Sequence, residues 1–343
     1  MDAKMRLRMA IQDVQRTEAA QPALSSRRSV FFGPALHRRS ESPLGRQDRG
    51  RSDFVTPTPR TIGRDMASNA DEQKTCPLCR EKERLQSFWR NPDFFRCDAC
   101  GAIFRDPFPS EEALKDLYER SWVAPEASRA ETGATDSGVA DAIAGYLLRS
   151  TDSPSFAGKR ILDFGGGLGA MAAALRRRGA DVFVVEPFGV DYLTGRGFKA
   201  YRFLEDIPAE FTFDGITSLE VVEHLPDPTA ALRQLSARLT PGGWLFVTTP
   251  NPEGLNAAVS GSSWREAEKP GHLLFFPAPT LKLALERSGF EQVERKRWPI
   301  RFPNAPVIKR AIHFLLQAAM VDGSVRMLAR KPAPDQGASA LAS

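Results

Sequence analysis

Long apolar runs are missing from this chain of 343 residues. The most apolar window, around 161–175, holds Asp163 and four glycines, which excludes a conventional transmembrane helix. An apolar signal region near the first residue is missing too, and with it the expectation of a disulfide framework; a cytoplasmic location is expected. Histidine is scarce: four in all, with His224, His272 and His313 the three beyond the first 65 residues. A basic excess is also missing where it would matter. The net charge is +5, but residues 1–65 hold 13 basic and 7 acidic residues, leaving 34 basic against 35 acidic in the remainder. A near-neutral body removes most of the electrostatic case for a nucleic-acid partner.

What is present divides the chain into five parts. Residues 1–70 are rich in Arg, Ser, Pro and Gln and read as a disordered basic tail. Met66, opening MASNADEQKT, is a second candidate start. Residues 71–120 carry every cysteine and end in a helical pattern over 110–118, with Ser110 as its N-cap. A small, polar linker follows at 121–137. From 138 to 332, strand and helix patterns alternate, the signature of a doubly wound parallel sheet. Strands are expected at 159–164, 181–185, 199–203, 213–219, 243–249, 291–298 and 324–331. Helices are expected at 138–150, 168–178, 227–239, 278–288 and 306–320, with a helical turn near 189–196. The last helix is expected to pack on the sheet rather than act as a lid or lie on a membrane surface. Residues 333–343 read as a disordered end.

The cysteines form one array: Cys76-Pro-Leu-Cys79, then Cys97-Asp-Ala-Cys100. Two C-x₂-C knuckles at this separation fit the tetrahedral thiolate site of a zinc ribbon, with Phe88, Trp89, Phe94 and Phe95 in the hairpin between them. Rubredoxin-like iron is the alternative ion. Four protein ligands leave no open coordination position, so the role is structural.

The stretch ILDFGGGLGA at 161–170 runs from a strand into a glycine loop, Asp163-x-Gly165-x-Gly167-x-Gly169, with Glu186 closing the next strand. Glycines let backbone approach a ligand, and an acid after the second strand accepts ribose hydroxyls. The same loop also satisfies G-x-G-x-x-A, so a nicotinamide-type oxidoreductase is a competing reading. Asp163 opposes it, because a pyrophosphate disfavours a nearby anion while a ligand with an ammonium group welcomes one.

With FDGITSLEVVEHLPDP (213–228) and LTPGGWLFVTTPN (239–251), the loop resembles, in order and spacing, Rossmann-like S-adenosylmethionine-dependent methyltransferases. The subgroup resembled most is the ubiquinone-biosynthesis type, in which a segment like GHLLFFPAPTLKLALERSGF (271–290) follows the fifth strand. The cysteine-bearing unit resembles the zinc-binding N-terminal module of some bacterial methyltransferases, including sugar-modifying ones. The resemblance implies a Rossmann-like α/β sheet, mostly parallel with an antiparallel last strand, behind an N-terminal four-cysteine zinc ribbon. It implies that Asp163, Gly165, Gly167 and Gly169 border the methionine part of the cofactor and that Glu186 holds its ribose. Asp206 would contact the adenine, with Glu205 an equal candidate, and Leu219 and Glu220 would line the methyl-transfer face.

A sulfonium methyl is already activated, so catalysis needs in-line alignment and, for a hydroxyl or acidic carbon, a general base. His224 and His272 are the candidates; the competing readings are that Glu223-His224 caps the following helix and that His272 makes a structural hydrogen bond. Tyr118, Trp122, Asn251 and Trp264 are candidate pocket-lining residues, and His313 reads as structural. The expected activity is O- or C-methylation of a small-molecule or glycan acceptor. The competing classes are the oxidoreductase and a non-catalytic nucleic-acid-binding scaffold.

Overall fold

Strands β4 (Arg160–Phe164) and β5 (Asp181–Val185) set the fold through their period-2 alternation. Ile161, Val182 and Val184 face one apolar layer, while Leu162, Phe183 and Val185 face the other. Both faces are buried, as a parallel sheet covered by helices requires. The structure is a computed structural model that describes residues 74–89, 91–122, 135–297 and 307–333. The expectations for 1–70, for most of 121–137 and for 334–343 lie outside these residues.

Among the described residues the main sheet has seven strands. Those two are joined by β6 (Lys199–Tyr201), β7 (Phe213–Leu219), β8 (Leu239–Pro250), β10 (Glu291–Arg295) and β11 (Ser324–Arg330), in the order β10-β11-β8-β7-β4-β5-β6. All neighbours from β8 to β6 pair in parallel, and β11 inserts antiparallel between β8 and β10. The mostly parallel Rossmann-like sheet with an antiparallel last strand is therefore observed. Helices α2 (Thr135–Ser150), α3 (Ala170–Arg176) and α4 (Val190–Gly195) cover one face. Helices α5 (Pro228–Ala237) and α8 (Ala278–Arg287) cover the other. The order reverses between β4 and β7, so their carboxyl ends flank a crevice of the kind that holds ligands in such sheets.

A second sheet runs β1 (Leu85–Phe88), β2 (Asn91–Cys97), β3 (Ile103–Arg105) and β9 (Leu274–Phe275). Its fourth strand comes from far along the chain: Ile103 pairs with Phe275 and Phe104 with Leu274. Trp89 sits edge-on to Phe94, Trp264 and Phe275, at centroid distances of 5.3, 5.8 and 5.5 Å. Cys76, Cys97 and Phe104 bury into the same apolar layer as Leu273 and Phe276. The cysteine-bearing segment is thus built onto the sheet's second face by shared backbone and aromatic packing.

Several boundaries differ from those expected. Helix α1 (Glu111–Trp122) runs four residues past the pattern, with Ser110 Oγ accepting the Ala113 N–H at 3.2 Å as expected of its cap. Helix α2 begins at Thr135 rather than 138, and β8 begins at Leu239 rather than 243. The short elements α6 (Leu255–Ser260), α7 (Arg265–Glu268) and β9 lie where no element was expected, each too short to show a period. Helix α9 (Val307–Ala318) overturns its expected packing: Val307, Ile308, Ile312, Phe314 and Leu315 face outward.

Candidate active site

The glycine loop leaves the carboxyl end of β4, where Asp163 pairs in register with Thr217 of β7 and Phe164 with Val185 of β5. Thr217 Oγ1 donates to Asp163 Oδ1 at 2.8 Å, while the buried Oδ2 has no hydrogen-bond partner. Burial pushes the Asp163 carboxyl up to about 6, opposed by the Thr217 bond. A cationic ligand group beside Oδ2 would restore its charged form.

Glycine is required at Gly165, where φ is 76° and an added Cβ would lie 2.3 Å from Val221 Cγ2. At Gly167, φ is 49° and nothing stands within 4 Å of an added Cβ, so bare backbone faces open space. Gly169, also left-handed, is the N-cap of α3. The Gly167 N–H donates to Glu186 Oε2 at 3.0 Å and the Phe188 N–H to Oε1 at 3.3 Å. Burial raises the Glu186 carboxyl, and those two N–H groups oppose it. Asp206 accepts the Phe203 N–H at 2.9 Å, closing a short turn, and Glu205 accepts from Gln234 Nε2 at 3.4 Å.

Beyond Leu219, the end of β7, Glu220 adopts φ 55°, a left-handed conformation rare outside glycine. Its N–H donates to the Thr248 carbonyl at 3.0 Å, and Thr248 Oγ1 donates to Oε1 at 2.8 Å. This bend lays Val221 over Gly165 and brings up Glu223 and His224. Glu223 is fully buried: Thr249 Oγ1 donates to Oε2 at 2.9 Å, and Oε1 has no partner. Burial, then the Glu220 charge, raises its carboxyl well above the usual range.

His224 Nδ1 lies 2.8 Å from the Gly271 carbonyl and 2.9 Å from Tyr118 Oη. A carbonyl only accepts, so the ring proton is assigned to Nδ1 and Nε2 keeps its lone pair, 4.0 Å from Glu223 Oε1. The His272 ring stands edge-on to His224 at 4.6 Å, with Nδ1 buried, unpartnered and 3.8 Å from Glu266 Oε2. Burial lowers His224 below the ordinary value; burial, with His224 and Lys269 adding, pushes His272 down to about 3. Both rings are neutral bases at neutral pH. The helix cap expected of Glu223-His224 belongs instead to Asp227, which accepts the Ala230 N–H at 3.0 Å ahead of Pro228.

Tyr118 connects the two groups. Its ring stacks on Phe188 with centroids 5.4 Å apart, and its hydroxyl is pushed up to about 12 by burial and by the Glu223 and Glu186 charges. Trp264 lies in the aromatic layer under β9. Buried Asn251 donates to the Asp322 carbonyl at 2.9 Å, a structural bond. The Trp122 side chain is outside the described residues. Sequence reasoning passed over Glu223 as more than a cap, although an acid beside a histidine was the available signal.

The four cysteines are unbridged, and their sulfurs lie within 4.8 Å of one another. Cys76 Sγ is 3.6 Å from Cys100 Sγ, and Cys79 Sγ is 3.5 Å from Cys97 Sγ. A tetrahedron of 2.3 Å zinc–sulfur bonds has edges of about 3.8 Å, so the cluster fits such an ion closely. Among the described residues one other group has ligand geometry: Glu223, His224 and His272, whose donor atoms also lie within 4.8 Å of one another.

Doubly wound sheet, glycine loop and terminal acid define a domain that binds an adenosine-bearing cofactor. Residues 138–295 match the family model described as a methyltransferase domain. A ubiquinone biosynthesis O-methyltransferase of Xanthomonas oryzae pv. oryzae is 38% identical over 121 residues, covering 32% of this chain and 51% of that one. Its counterpart in Pseudomonas aeruginosa is 32% identical over 126 residues, covering 32% and 52%. The chain spans about half the length of the curated relatives it matches. Among solved structures, 1,6-didemethyltoxoflavin-N1-methyltransferase of Burkholderia thailandensis is similar, with a TM-score of 0.43 at 18% identity, covering 73% of this chain and 99% of that one.

Proposed function

We propose that the chain transfers the methyl group of S-adenosylmethionine to a hydroxyl or acidic carbon of a small-molecule or glycan acceptor, with a zinc ion in the four-cysteine cluster. The observation that carries this reading is one chain of contacts: His224 to the Tyr118 hydroxyl, the Tyr118 ring on Phe188, and the Phe188 and Gly167 N–H groups on Glu186. It links a neutral base to the carboxylate beside the open glycine backbone.

In this reading Glu186 would accept the ribose hydroxyls, and unpartnered Asp163 Oδ2 would face the cationic amino group. Gly165 and Gly169 shape the loop, while Gly167 leaves room for the cofactor to close on it. Asp206 would stand toward the adenine, and Leu219 and Glu220 would wall the face where acceptor meets methyl group. The cofactor supplies an activated methyl on a sulfonium with a neutral leaving group. His224 Nε2 takes the acceptor's proton, its ring held by the Gly271 carbonyl and Tyr118. His272 and buried Glu223 close the wall behind it and keep water out. A second reading rests on the unpartnered Glu223 Oε1 and His272 Nδ1: with His224 they hold a divalent cation that orients an acceptor oxygen.

The supporting relatives are ubiquinone biosynthesis O-methyltransferases, which favours a phenolic acceptor over a nucleic acid. The test is calorimetric titration of the full chain with S-adenosylhomocysteine, with NAD in parallel, followed by label transfer from S-adenosylmethionine to phenols and sugars. Micromolar binding of the homocysteine, lost in Glu186→Ala, supports the reading; binding of NAD alone would sink it. Label transfer that needs added divalent metal, after chelation mild enough to spare the cysteine cluster, selects the second reading of the histidines.

A further inference from the structure

Helix α9 is turned inside out. At 3.6 residues per turn, Phe314, Val307, Leu315, Ile308 and Ile312 fall within one arc of about 160°. All five are exposed, between 50% and 76%. The side turned to the protein carries Gln317, which is buried. The Leu255 N–H donates to the Val321 carbonyl at 2.8 Å, tying the segment after α9 to the start of α6, where Leu255 and Val259 are exposed as well. Single exposed apolar side chains are ordinary, but five on one helix face mark an interaction surface.

Charge identifies what docks there. Between Glu294 and Asp322 the sequence has no acidic residue, but it has Arg295, Lys296, Arg297, Arg301, Lys309 and Arg310. Arg297 and Arg310 are exposed, while Lys296 pairs with Glu294 and Arg295 donates to the Met320 carbonyl. A helix with an apolar arc, two basic residues and no acid along its own length matches the boundary between lipid headgroups and acyl chains. A second copy would set like charges against each other across a two-fold axis. Twelve helical residues reach only about 18 Å, short of the ~30 Å bilayer core, and among the described residues no helix is long and apolar enough to cross a membrane.

We propose that α9 lies flat on an anionic lipid surface, its apolar arc in the acyl boundary and its cations against the lipid phosphates. This stands independently of the methyl-transfer reading. The test is co-sedimentation of the full chain with vesicles of phosphatidylcholine alone or mixed with phosphatidylglycerol. The expected result is binding to the mixed vesicles, weakened by salt. It should fall at least about tenfold in the double variant Ile308→Asp with Leu315→Asp and about fivefold in Arg310→Ala. Both variants alter exposed positions, and an unchanged thermal melt verifies their folding. No binding to the mixed vesicles, or equal binding by the double variant, overturns the proposal. So does a dimer in solution that the double variant splits while neither protein binds vesicles.

Discussion

The two halves of the strand-end crevice are built by different rules. The glycine-loop half comes from one contiguous β-α-β unit: Asp163, the three spaced glycines and Glu186 lie within 24 residues, positioned by adjacent parallel strands. The histidine half is assembled from distant pieces. Tyr118 and His224 are 106 positions apart, His224 and Gly271 are 47 apart, and Tyr118's helix packs through Leu114 on the apolar layer that holds Cys76, Cys97 and Cys100. A local unit keeps its geometry through strand pairing alone, whereas a composite one depends on every layer beneath it.

The most severe way to separate the halves is to remove the cysteine cluster. Cys76→Ser with Cys100→Ser, or treatment with a strong chelator, should unseat β1–β3 and with them Tyr118. Turnover should fall by about 100-fold, the cost of misplacing a reacting group by an ångström. S-adenosylhomocysteine affinity, measured by calorimetry, should stay within a small factor of the wild type. If affinity falls in step with turnover, the two halves form a single unit.

His224→Ala comes next, with an expected loss of about 10²–10⁴ in kcat and no change in cofactor affinity. The pH profile sharpens this assignment. Burial lowers the histidine below its ordinary value of about 6.5, and the base works only when neutral. The wild-type kcat should therefore hold down to about pH 6.5 and decline below it. A decline that begins above that value in a kcat profile would place the base elsewhere.

Tyr118→Phe is the gentlest probe. It keeps the stack on Phe188 and the Gly271 bond to His224, removing one hydroxyl worth roughly 0.5–1.5 kcal/mol. A drop in kcat of about 2–13-fold without loss of thermal stability marks Tyr118 as a positioning residue; equal losses in kcat and stability would make it a packing residue.

Legibility in the sequence followed the same division. The C-x₂-C pairs, the glycine loop and Glu186 stood out because fixed short spacings carry their chemistry. Strand β9 did not, since two residues have no period, and its pairing with β3 joins positions about 170 apart. Glu223 had the look of a helix cap until Asp227 was seen to fill that role. Helix α9 was legible as a helix from its apolar spacing. That spacing is identical whether the face meets a core or a surface, so only the packed structure showed which way it turned.

By itself, the sequence determined the alternation of strands and helices, the cysteine array and the acid-flanked glycine loop. Each is enforced by backbone sterics or by ligand spacing within a few residues. The tertiary structure alone decided that the cysteine-bearing segment completes its sheet with β9 and that Tyr118 reaches His224. It also decided that Glu223 is buried, which raises its carboxyl. Such features depend on dielectric surroundings and on contacts between remote segments, which arise only when the layers close together.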